Sequence, residues 1–593
     1  MKNICKALLF SLFFIHPFIT YAKPVIYVNQ IAFDSNAPKT AVVQLDAKAA
    51  GKVAFNLIDA AGKIAFTGVL GAPQVITEWR PGKVFYKADF SSFAKAGKYT
   101  LRVKVAGALY SSYKFEIGDN ALAKQTLSAI IHYYNKQRAN TPQEVSADMN
   151  LPLFGSDKTV NLRGGWCDAS GDVSKYFSHL AYANYMSPQQ IPLVTWSMVS
   201  TSEKIPTLLT KWNLKDSLDK EALYGADYMM RALSDDDYFY MIVFSYFDKN
   251  PAARRVVGLL ANSITTNQYQ CAFREGGGMA IAALARISQW KKDGNFTSQQ
   301  YLDGAKRAFA HLLLYNTQYD DDGKENIIDD YCALMAATEL WIATNDTLYR
   351  DEARKRATNL NKRMSPAGYF LANDAGRPYW HASDAGLPIV ALSRYLDAEK
   401  DETHRAEALK TIKQALDYNL AVTAKVSNPF GYARQSFMFK GKVKDGFFIP
   451  HENETGWWWQ GENARLGSLA TAAIVGGRLA YPAQANWGIK STLGAYASQQ
   501  LSWIMGGNPY NRCFIYGFGK NNVPYMASNF GHGSQRGGIS NGVTGKDGNP
   551  DGSGIDFKTE ANGDEWRWTE QWIPHAAWFL QAVAATAQPV GVK

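Results

Sequence analysis

A chain of 593 residues is too long for one ordinary compact core and implies about two to four domains. With 46% hydrophobic and 20% charged residues it has the balance of a globular protein. Its net charge of +10 comes from scattered Lys and Arg without a dense run, so nothing marks a nucleic-acid surface.

Residues 1–22 read as a cleavable secretory signal. Lys2 and Lys6 supply the charge, Ala7 to Phe18 an apolar core, and Thr20-Tyr21-Ala22 a small-residue end. That core is too short to span a membrane, and no later run is long enough. The expectation is a secreted or periplasmic protein without a membrane anchor. Four cysteines remain, Cys167, Cys271, Cys332 and Cys513, with no CxxC pair; buried free thiols are expected.

Residues 23–118 form short alternating runs, such as Thr40-Ala-Val-Val-Gln-Leu and Tyr99-Thr-Leu-Arg-Val-Lys-Val, separated by Gly, Pro, Asp and Asn. The pattern predicts a small antiparallel β-sandwich. It holds no cluster of His, Cys or paired acids. From Gly118-Asp119-Asn120 the apolar period becomes helical, and residues 119–593 are the second domain. Helices are predicted at 119–136, 172–200, 217–235, 275–292, 298–315, 328–345, 348–363, 383–398, 403–422, 459–478, 487–507 and 570–588. These twelve fit six hairpins closed into an (α/α)6 barrel. Long loops at 137–171, 364–382, 423–458 and 508–569 are candidates for function.

The most informative stretch is Gly164 to Tyr176, GGWCDASGDVSKY. It sets Asp168 and Asp172 four residues apart, with a flexible Ala169-Ser170-Gly171 between them and Trp166 upstream. At a turn opening into a helix, free N–H groups favour the ionised form, and an ionised carboxylate in a cleft is a general base toward water. The structural alternative is that Asp172 caps a helix.

This stretch resembles the GGW-x-DAGD-x-x-KY signature of glycoside hydrolase family 9, the cellulase family. The N-terminal sandwich, with Asn29-Gln-Ile-Ala-Phe near its start, resembles the immunoglobulin-like domain that precedes it. Trp503-Ile-Met-Gly-Gly-Asn-Pro-Tyr, Tyr516-Gly-Phe-Gly and Thr569-Glu570-Gln-Trp-Ile-Pro-His-Ala-Ala resemble later family segments. The resemblance implies inverting hydrolysis of β-1,4 bonds. Asp172 would be the base, Asp168 would help hold the water, and Glu570 would be the general acid. Three departures, the four-residue Asp spacing, Gly531-His532-Gly-Ser-Gln-Arg536 and the stretch from His451 to Arg465, resemble the exo-acting branch that removes glucose or glucosamine from oligosaccharides. The alternatives are an endo-β-1,4-glucanase, a polysaccharide lyase and a non-catalytic sugar-binding protein.

Glu570 needs a raised pKa to be an acid near neutrality, and Trp566, Trp568, Trp572 and Ile573 are the neighbours that would desolvate it. Its structural alternative is a first-turn helix Glu after Thr569. Candidate substrate contacts are Trp166, Trp380, His381, Glu454, Trp457, Trp458, His532 and Arg536. Trp457 and Trp458 would stack on sugar or pack a helix entry. Glu454 and Glu462 would bond hydroxyls or pair with Arg465. Asp547-Gly-Asn549-Pro-Asp551-Gly552 begins like a calcium loop, but its twelfth position is Lys558, where a Glu is needed. No cofactor or metal is expected to be required, a structural calcium being the disfavoured alternative, and the expected partner is a β-linked saccharide, not nucleic acid.

Overall fold

The computed structural model describes residues 23–179, 186–245, 254–260, 264–454, 459–527, 531–560 and 565–587. The expected signal segment and the candidates Trp457 and Trp458 lie outside these residues. No described helix is long and apolar enough to cross a membrane.

The N-terminal strands alternate as their sequences do. In Gly97–Val105, Tyr99, Leu101 and Val103 are buried while Lys98 and Lys104 face outward. One sheet orders Val25–Tyr27, Thr40–Leu45 and Val84–Asp89. The other orders Ala32–Asp34, Phe115–Gly118, Gly97–Val105, Ala54–Asp59 and Ile64–Val69, with Ala108–Ser111 on the long strand. All pairs are antiparallel except Ala32–Asp34 with Phe115–Gly118. Phe33, Phe55, Tyr86, Phe90 and Phe115 fill the space between the sheets. This is the immunoglobulin-like sandwich. It docks on the helical domain through Gln30, whose Oε1 accepts from Lys520 N and Asn521 N, and through Trp79, which packs among Phe430, Phe447 and Trp503.

The helices are α1 Ala121–Gln137, α2 Pro142–Asp148, α3 Ile191–Lys204, α4 Pro206–Lys211, α5 Lys215–Ala232, α6 Gly278–Ser288, α7 Ser298–Tyr319 and α8 Ile327–Thr344. They continue as α9 Thr347–Lys362, α10 Leu387–Ala398, α11 Glu402–Ala424, α12 Asn463–Ala480, α13 Ser491–Ile504, α14 Trp566–Thr569 and α15 Ile573–Ala587. Helices α3, α6, α8, α10, α12 and α15 touch in sequence, and α15 returns to α3, so they close an inner ring. α5, α7, α9, α11, α13 and α1 pack outside it. The (α/α)6 barrel follows from composition. α6 and α15 are buried on every side, whereas α9 buries a single stripe of Tyr349, Ala353, Arg356, Ala357 and Leu360. Inner helices approach closely: a Cβ on Gly278 would meet the Cys332 backbone at 2.7 Å.

One expected helix is corrected. Residues 172–200 do not run as a helix from Asp172. Lys175–Tyr176 is a strand paired with Ile242–Phe244, and α3 starts only at Ile191. Asp172 Oδ1 accepts from Ser174 N at 2.7 Å, and Arg254 holds the Val173 carbonyl at 2.6 Å. Side-chain bonds to the local backbone outcompete the helix there. The last helix likewise begins at Ile573, not at Glu570.

Candidate active site

The Asp168–Asp172 turn and the segment Glu570–Ile573 lie side by side as a short irregular ladder. Ser170 N donates to Gln571 O at 2.8 Å, and Gln571 N donates to Ser170 Oγ at 2.8 Å. Ile573 N, the first residue of α15, donates to Asp168 O at 3.1 Å. Trp572 Nε1 donates to Asp168 Oδ1 at 2.9 Å. Residues some 400 positions apart in sequence are thereby locked together, and Asp168, Asp172 and Glu570 fall within one another's fields.

Each carboxyl is held differently. Asp168, 3% exposed, has Trp572 on one oxygen and His179 Nε2 at 3.7 Å from the other. Asp172, 5% exposed, accepts from Ser174 N and, at 3.1 Å, from Tyr176 Oη. This is a turn stabilised by an Asp side chain, not a helix cap. Glu570 is partly buried in extended backbone, φ −64° and ψ 133°, between α14 and α15. It is therefore not a first-turn helix residue. Its carbonyl accepts from Asn541 N at 2.8 Å.

Burial, not a helix dipole, sets the electrostatics. Desolvation pushes Glu570 well above the usual carboxyl range, with the Asp172 charge adding to it. Desolvation also raises Asp168 well above its ordinary value, reinforced by Asp172 and Glu570. Asp172 is raised by burial too, but Ser174, Tyr176 and the Arg254 charge pull it back. Asp172 is the best stabilised anion of the set. His179 is driven down to about 3 by burial and is neutral.

Several predicted contacts are corrected. Trp166 is fully buried; it packs on Tyr134 and Tyr224 and donates to Glu221 at 3.3 Å, so it is core, not a sugar platform. Trp380 and His381 are buried as well. His381 Nδ1 accepts from Ser383 N and Asp384 N, and Trp380 walls a small cavity with Tyr369, Tyr418 and Arg465. Glu454 pairs with Arg377 at 2.5 Å, while Glu462 pairs with Arg465. Arg536 is exposed and lies 4.4 Å over Phe518. His532 is buried, with Nε2 2.6 Å from Glu144 and its carbonyl accepting from Gly171 N at 3.1 Å. It braces the acid turn from behind.

Other residues escaped the sequence. Glu144 and Asp148, one helical turn apart on α2, anchor the two flanks of the turn: Glu144 takes His532, and Asp148 takes Lys175 at 2.6 Å and Arg254 at 2.6 Å. Glu144 was findable as the closing residue of the Thr141-Pro-Gln-Glu capping box. Asp148 and Arg254 carry no local signal. Asp148→Asn leaves two buried cations without a carboxylate, and we expect a loss of roughly 3–5 kcal/mol in urea unfolding. A midpoint within error of wild type would contradict that.

Among the described residues, two groups bring three donor atoms within 4.8 Å of one another, Glu144–Cys167–His532 and Asp168–Asp172–His179. In the first, Glu144 and His532 already bond each other. In the second, Asp168 Oδ1 accepts from Trp572, and the two Asp172 oxygens accept from Ser174 and Tyr176. Both are hydrogen-bonded networks within the protein. In the 547–558 loop, Lys558 Nζ lies 2.5 Å from Asp547, and Lys444 pairs with Asp551, so ammonium groups balance its acids. The cysteines at 167, 271, 332 and 513 are buried and free.

The family profile described as glycosyl hydrolase family 9 matches residues 124–552, and that of the cellulase N-terminal ig-like domain matches residues 21–108. The chain belongs to glycosyl hydrolase family 9. Residues 124–552 are its glycosyl hydrolase family 9 domain. The chain is 30% identical over 161 residues to a cellodextrinase of Butyrivibrio fibrisolvens, covering 26% of this chain and 27% of that one. It is 22% identical over 410 residues to Endoglucanase 1 of Arabidopsis thaliana, covering 68% and 75%. The match to Endoglucanase 8 of Oryza sativa subsp. japonica spans 66% of that protein's length. Among solved structures, a metagenome-derived family 9 endoglucanase superposes with a TM-score of 0.65 at 18% identity, covering 95% of this chain and 99% of that one. A family 9 protein of Bacteroides ovatus gives 0.63 at 20% identity, with 95% and 99% covered. These superpositions establish the fold.

Proposed function

We propose that this family 9 chain is an exported, inverting hydrolase that removes glucose or glucosamine from the ends of β-1,4-linked cello- or chitosan-oligosaccharides. The pairing of the Asp168–Asp172 turn with the Glu570 segment carries this reading. Breaking an acetal needs a proton for the leaving oxygen and a base for the incoming water, on opposite sides of one sugar. Glu570, whose pKa burial raises, supplies the proton. Asp172, steadied as an anion by Ser174, Tyr176 and Arg254, activates the water, and Asp168 orients it. Two carboxyls suffice for this chemistry, so no cofactor or metal is assigned. Export rests on the charged, apolar and small-residue pattern of residues 1–22.

Oligosaccharide use is supported by the similarity to a protein named cellodextrinase. It is also supported by the likeness to a structure, TM-score 0.63, described in complex with cellobiose-like isofagomine. A second reading, endo attack on β-glucan polymers, is favoured by the similarity to two plant proteins named endoglucanases. Cellobiose, chitosan dimer and carboxymethylcellulose separate the two. Monomer release without loss of viscosity is expected; rapid viscosity loss would instead establish endo action. Proton NMR of the first-formed product should show the α anomer, and a β product would exclude inversion.

A further inference from the structure

Arg254 is 5% exposed and uses three nitrogens. Nε lies 2.6 Å and Nη2 3.3 Å from Asp148, while Nη1 donates at 2.6 Å to the carbonyl of Val173, the residue after Asp172. Lys175 Nζ shares the same carboxylate at 2.6 Å and also bonds the carbonyls of Leu162 and Gly164. Two buried basic groups therefore share the Asp148 carboxylate. Glu144 on the same side is engaged by His532. Asp172 directly precedes Val173, whose carbonyl Arg254 holds.

We infer that Arg254 is a positioning residue for the reaction, fixing the turn behind Asp172 and holding that side chain in its ionised, water-activating form. Among the described residues, the titratable groups facing Asp172 are Asp168 on its own turn, Tyr176 and His179 beyond it, Glu570 from the C-terminal segment, and Arg254. Asp168 and Glu570 oppose its ionisation, and half-buried His179 is neutral. Arg254 is the cation of this set, and its field draws the Asp172 pKa down against burial. Removing it lets that pKa climb, so the base becomes protonated at higher pH. The acid limb of the activity profile then moves upward. The inference rests on Asp172 being the base.

The test is the pH dependence of kcat/KM for cellobiose hydrolysis by wild type, Arg254→Gln and Arg254→Lys, with circular dichroism to check folding. Arg254→Gln should move the acid limb up by about one pH unit or more. Arg254→Lys keeps the charge but cannot bond Asp148 and Val173 together, so the limb should stay while kcat falls. A limb unmoved in Arg254→Gln, or moved equally in Arg254→Lys, overturns the inference. If Arg254→Gln does not fold, the lysine variant decides alone, and a displaced limb counts against the role. Normal turnover in Asp172→Asn would refute the base assignment itself. An inactive Asp172→Asn beside an unmoved Arg254→Gln limb refutes only the part given to Arg254.

Discussion

Asp172→Asn should lower kcat by about a hundred- to ten-thousand-fold, the range associated with loss of a general base. The amide has the same shape and its oxygen still accepts from Ser174 N, while the Tyr176 hydroxyl rotates to accept from the new NH2. The turn therefore keeps its form and only the capacity to take a proton from water is lost. Binding is expected to change little, so the effect falls on kcat and not on KM. A complementary experiment uses Asp172→Gly with azide. The vacated space admits an anion that needs no deprotonation, and an α-glycosyl azide should form. Folded Asp172→Asn with wild-type turnover would remove Asp172 from the mechanism.

Glu570→Gln should show a loss that depends on the leaving group. For cellobiose, whose departing sugar oxygen needs a proton, a drop of about a hundred- to ten-thousand-fold is expected. For a dinitrophenyl β-glucoside, whose phenolate leaves unprotonated, the drop should be far smaller. The pH profile should change as well. The raised pKa of Glu570 means the acid is present below that value and lost as pH rises through it, so wild-type activity has a basic limb. Glutamine does not titrate, and that limb should vanish. An equal loss on both substrates with the limb retained would transfer the acid role to another residue.

Both substitutions depend on how the two segments meet, and the sequence was uneven about that. The helical period from residue 119 onward was plain because the inner helices α6 and α15 are apolar on all sides and α9 has one buried stripe. The chain between Asp172 and Ile191 misled for a local reason. Tyr176, Phe177, Leu180, Ala181 and Tyr185 have a helix-like spacing, but Tyr176 and Phe177 are buried against the strand Ile242–Phe244 and its neighbours. A period read along one segment cannot see a partner strand about 66 residues away in the chain. The aromatic candidates misled similarly. Trp166 and Trp380 have the side chain that suits a sugar, yet composition does not say whether an aromatic faces a cleft or is enclosed, and here both are buried.

What the sequence determined by itself was chemical identity and order: a strand-rich domain before a twelve-helix domain, two aspartates near the start of the second and a glutamate near its end. These depend on side-chain type and local period, which any window of the chain displays. What only the tertiary structure decided was convergence and charge. Ring closure of α15 onto α3 brings Gln571 and Trp572 against Ser170 and Asp168. The same folding buries Asp148, Lys175 and Arg254 together behind the turn that carries Asp172. Burial and long-range pairing shift proton affinities, and neither exists until the chain has folded.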